Sequence, residues 1–169
     1  MRFTIYDASV PILAPMLTNI AAWMDKAEAH AKAKGYDSTN LLTMRLAPDM
    51  LPLSSQVAIA SDIAKILVSR LTDVPATPAP TAPGTVAELA QRALEAATFL
   101  RSVDPARFEG SEERAIVLPQ RHGDPLHFTG ATLLQQWALP NVFFHVTTTY
   151  AILRHAGVEL GKADYLGKR

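Results

Sequence analysis

A chain of 169 residues that is 49% hydrophobic is long enough to bury a core, and it reads as a single domain over residues 1–169. Its 16 basic and 16 acidic side chains cancel, which argues against nucleic acid and against a polybasic membrane anchor, and weakens repulsion between copies. There is no Cys, so disulfides, thiolate metal sites and cysteine nucleophiles are excluded, and any metal would need His, Asp and Glu ligands.

The opening MRFTIYDASVPIL lacks the basic region, continuous apolar core and small-residue cleavage site of a signal peptide. No apolar run is long enough to span a bilayer, so a cytoplasmic location is expected. The first helix is predicted from Val10 to Lys34. Val10, Leu13, Leu17, Ile20, Met24 and Ala27 recur at spacings of three and four, Asp7 or Ser9 is placed to cap it, and Gly35 ends it. Tyr36 to Met50 form a connection with a short turn around Leu41, Leu42 and Met44. A second helix is predicted from Pro52 to Leu71, with Val57, Ala60, Ala64, Leu67, Val68 and Leu71 on its apolar face.

Thr72 to Gly84 (TDVPATPAPTAPG) reads as an extended, solvated linker because of its repeated Pro. The third helix is predicted from Thr85 to Val103, and Thr85 followed by Glu88 has the spacing of a capping box. Asp104-Pro105 breaks it. RAIVLP and PLHFTG then read as two short strands around QRHGD, a hairpin that should lie against the helices. The last helix is predicted from Ala131 to Ala156, and Pro140 in its interior predicts a kink. The tail VELGKADYLGKR reads as an ordered turn followed by a loose end. No GxGxxG or P-loop is present, so phosphate-cradling chemistry has no support.

The stretches YDASVPIL, RLAPDMLPL, RFEGSEER and ALPNVFFHVTTTYAILRHAGVELGKADYLG resemble an uncharacterised domain family in the DinB/YfiT-like superfamily, over essentially the whole chain. The resemblance implies an all-α fold, a DinB-like antiparallel four-helix bundle with a small β-hairpin before the last helix. It also implies a homodimer. Many superfamily members hold zinc or nickel through one His on the second helix and an HxxxH pair on the fourth, and characterised members include thiol-dependent transferases and a mycothiol-dependent isomerase. In this chain His145 matches the first His of the pair, but the fourth residue after it is Thr149, and the second helix holds Asp62-Ile63 and no His.

At about 100° per residue, Asn141, Thr148, Thr149 and Ile152 share the face of His145. Its imidazole can serve as a ligand-binding or acid/base group, or be a buried His hydrogen-bonded to a neighbouring helix. Asp62, among Ile59, Ala60, Ile63 and Ala64, needs a partner if it faces inward; His145 is one, and Lys65 and Arg70 are surface alternatives. Asp49 can pair with Arg45 or cap the following helix, while Gln56, Gln136 and Asn141 can add hydrogen bonds to a pocket. Trp23 and Trp137 read as core or interface aromatics. His30, His122, His127 and His155 read as solvent-facing or terminal, and no Ser has a nucleophile setting. The expectation is a small-molecule-binding bundle with a degenerate metal site, its ligand-binding residues being His145, Asp62, Asn141, Thr149, Gln56 and Asp49, without a resident cofactor. The alternative is a metal-assisted thiol-dependent transferase or isomerase using His145 and Asp62 with zinc or nickel.

Overall fold

The computed structural model describes residues 3–77, 83–120 and 122–167. The middle of the Pro-rich linker, Arg121 of the hairpin turn and the last two residues lie outside these.

Helix α1 spans Val10–Lys34, as its apolar spacing predicts, and Gly35 closes it with a left-handed φ of 75°. Its start differs from expectation. The Ser9 hydroxyl donates to the carbonyls of Ile5 and Tyr6, and Asp7 accepts from Thr4, so neither side chain caps the helix. Pro11, which has no N–H to leave unpaired, occupies the first turn instead. Helix α2 spans Leu53–Thr72 and α3 spans Val86–Ser102. The expected capping box is present on α3: Glu88 N donates to Thr85 Oγ1 at 3.1 Å, and Glu88 Oε2 accepts from Thr85 N at 3.2 Å.

Strands β1 (Ala115–Leu118) and β2 (Leu126–Thr129) pair antiparallel, Ala115 opposite Thr129 and Leu118 opposite Leu126. Ile116 and Leu118 are buried, so the hairpin gains its stability from the bundle beneath it. Helix α4 follows in three segments: an α-helical turn at Gly130–Thr132, a π-helical stretch at Leu133–Ala138 and an α-helix at Leu139–His155. The break expected at Pro140 thus takes the form of a π turn just before it. Asn141 Nδ2 donates to the Trp137 carbonyl at 2.6 Å across that seam.

The helices form a ring in the order α1, α3, α2, α4. Arg101 near the end of α3 reaches Thr18 near the start of α1, so these two run in opposite directions. Gln56 at the start of α2 meets His145 well along α4, while Gly130 at the start of α4 packs on Leu71 at the end of α2, so these also oppose. His30 and Gly157 lie together at the C-terminal ends of α1 and α4, which therefore run alike. The resulting sense is up, down, down, up, and the linker after α2 must return the length of the bundle before α3 begins. Lys65 donates to the Thr77 carbonyl, which holds the start of that return alongside α2.

Leu13, Leu17, Ile20 and Met24 of α1 are fully buried against Leu67 and Leu71 of α2 and Leu89 and Leu100 of α3, within one apolar cluster. Each such side chain contributes about 1.5–3 kcal/mol. The tail is more ordered than its polarity suggests. Helix α5 (Lys162–Leu166) docks on α1, with Tyr165 stacked on Trp23 at 5.9 Å and Lys26 paired with Asp164 at 2.6 Å. Among the described residues, no helix is long and apolar enough to cross a membrane.

Candidate functional site

Gln56 lies in the first turn of α2, where its backbone N–H bonds the Pro52 carbonyl. Its side-chain amide donates to the Leu51 carbonyl at 2.9 Å. That bond points Oε1 away from Leu51, and Oε1 lies 2.6 Å from Nδ1 of His145. A carboxamide oxygen can only accept, so His145 must carry its proton on Nδ1. Burial pushes the His145 pKa below its ordinary 6.5, which favours the neutral ring. The lone pair is therefore on Nε2, which has no partner among the described residues.

His145 is 8% exposed. Among the described residues, Arg92 Nε is the side-chain polar atom that is both sealed from solvent and unpaired, so Nε2 keeps a path to the outside. The ring stands edge-to-face with Phe144, centroids 5.3 Å apart. Phe144 and Leu51 are both exposed apolar side chains. A neutral nitrogen acceptor beside an exposed aromatic ring can receive an O–H or N–H donor from a molecule with an apolar part.

The other expected residues are distributed differently. Thr149 is buried, but its hydroxyl donates to the His145 backbone carbonyl at 2.8 Å, one turn back along the helix. Thr148 does the same to Phe144. Asn141 is committed to the Trp137 carbonyl. Asp62 does not join His145; it pairs with Arg92 of α3 at 2.7 Å, at the half-exposed α2–α3 seam. Asp49 is exposed and neither caps α2 nor pairs with Arg45, whose guanidinium donates to the Met50 carbonyl. Gln56, one of three amides read from the sequence as accessory, is the residue that sets the histidine's chemistry.

The donors of a three-histidine metal site are not assembled around His145. A threonine with a committed hydroxyl stands at the HxxxH position, and the α2 carboxylate is bound to arginine. Among the described residues no three His, Cys, Asp or Glu side chains converge to hold a metal. His122, His127 and His155 are exposed, and His30 packs edge-on to Tyr36 at 6.1 Å.

Residues 5–166 match the model of a family described as Domain of unknown function (DUF1993). A solved structure from Shewanella denitrificans, described as a DinB family member protein, is 41% identical, with 98% of this chain and 93% of that one covered and a TM-score of 0.87. No curated protein matches.

Proposed function

This chain belongs to the DUF1993 family, and on that premise we propose that it is a DinB-like helical bundle that binds a small molecule at what remains of a metal site. The observation that carries this is the 2.6 Å contact between Gln56 Oε1 and His145 Nδ1. It fixes the imidazole in the tautomer that metal-ligating histidines use, with one nitrogen tied to an oxygen acceptor and the other bare. Without further ligands nearby, the bare nitrogen serves as a hydrogen-bond acceptor for a ligand O–H or N–H. Phe144, edge-to-face with the imidazole and exposed, supplies apolar contact.

Long-range proton–nitrogen NMR on the imidazole tests this directly. The expected spectrum at pH 7.5 shows His145 Nδ1 protonated and Nε2 bare, and small-molecule hits from a fragment screen move the Nε2 resonance. Hits that leave Nε2 unmoved, or hits unaffected by His145→Phe, would remove this reading. Stoichiometric zinc or nickel retained against a chelator would restore the metal-assisted alternative. We also infer a cytoplasmic homodimer. The zero formal net charge supports self-association, and a monomer at every concentration in sedimentation would exclude it.

A further inference from the structure

We propose a second binding site, in the cleft between the hairpin and the bundle, for a small organic carboxylate with an apolar body. The cleft encloses about 380 Å³, within the range of small-ligand sites. Ile66 and Arg70 lie one turn apart on α2 and form one wall. Leu118 and Leu126, the cross-strand pair nearest the hairpin turn, form the roof. Trp137 closes it from the π turn of α4. Such turns recur at functional sites because the extra residue re-aims a side chain.

The polar groups in this cleft are all compatible with an anion. Among the described residues Arg70 is the one charged side chain in its lining, and none of them there is a carboxylate. Both acids that flank Arg70 along the chain are engaged elsewhere, Asp62 by Arg92 at 2.7 Å and Asp73 by Arg114 at 2.5 Å. Among the described residues Arg70 makes no ion pair and no hydrogen bond. The Trp137 indole N–H and the Gln120 side chain, which also lines the cleft, have no hydrogen-bond partner there either. A planar guanidinium matches the two oxygens of a carboxylate as a fork. A single cation suits a singly charged group better than a phosphate. The remaining lining is apolar, and Ile66 is left 38% exposed, an uncovered surface for a hydrocarbon or phenyl body.

Neither Gln56 nor His145 lines this cleft, so it stands apart from the reading above. The test uses the full chain and 4-phenylbutyrate as probe, with 4-phenylbutanamide and 4-phenylbutylamine as uncharged and cationic controls. Calorimetry should show the acid binding at least tenfold tighter than the amide, and the amine not binding. Intrinsic fluorescence should change with the acid, since Trp23 is buried and Trp137 is the tryptophan at the cleft. Arg70→Gln should weaken the acid tenfold or more, and Ile66→Glu should abolish its binding. Both positions face solvent, so melting curves should stay close to the parent and certify that the variants fold. Equal binding of acid and amide, no binding of the acid at millimolar concentration, or undiminished binding to Arg70→Gln would each overturn the proposal.

Discussion

Gln56 and His145 are 89 residues apart in the chain, yet they share a 2.6 Å hydrogen bond that crosses the α2–α4 interface. Replacing one partner strands the other. Gln56→Leu leaves the buried Nδ1–H unpaired and is expected to cost about 1–3 kcal/mol. Pairing it with His145→Phe removes both polar groups and should recover part of that loss. Urea unfolding of the two single variants and the double variant provides the measurement. Additive losses would mean that the bond does not couple the helices.

The pH dependence of stability follows from the lowered His145 pKa. In the unfolded chain this imidazole takes a proton near 6.5, while burial makes it resist protonation in the fold. Below about pH 6.5 the unfolded state therefore binds more protons, and stability falls with acidity until the folded imidazole also protonates. The slope from this one group is at most about 1.4 kcal/mol per pH unit. Above pH 6.5 the contribution is constant. Denaturation midpoints between pH 5 and 8 should show this bend, and His145→Gln should flatten it.

Gly130 begins α4 in direct contact with the Ser111 backbone carbonyl, and a Cβ there would also press on Leu71. Backbone cannot step aside as a flexible side chain can. Gly130→Ala is expected to cost at least about 3 kcal/mol, with a matching drop in melting temperature. A fall of under about 1 kcal/mol would mean that the 3-10 turn at Ser111–Glu113 readily moves.

The capping box of α3 should be separable from the rest of the fold. Thr85→Ala removes the acceptor of the Glu88 N–H and should cost about 1 kcal/mol, whereas Thr85→Ser should be close to neutral. Thermal unfolding of the two variants side by side distinguishes a lost hydrogen bond from a lost methyl contact.

How legible each feature was depends on the distance over which it is encoded. The bounds of α1, the Thr85–Glu88 box and the Ala115–Thr129 hairpin are written in neighbours three to fourteen residues apart, and they read correctly. The order of helices around the ring is different. An apolar stripe says that a face is buried, without saying which helix covers it. Asp62 illustrates this: α2 is flanked by both α3 and α4, and the side of α2 on which Asp62 stands turns out to be the one that α3 covers, where Arg92 meets it. The role of Gln56 was hidden because it depends on the Leu51 carbonyl turning the amide, which is a detail of backbone geometry. Arg70 and Trp137 read singly as a surface charge and a packing aromatic; their meeting under the hairpin depends on tertiary placement.

The π turn at Leu133–Ala138 carries one more residue than the same length of α-helix would. It works as a phase setting for everything that follows in α4. Removing one residue there would rotate each later side chain by about 100° around the helix axis. His145 would leave Gln56, Val142 and Val146 would leave the core, and Phe144 would turn with them. The azimuth of the whole C-terminal half of the helix, including the histidine on which the proposed binding site rests, is thus determined at a π turn about two to three turns upstream of that histidine.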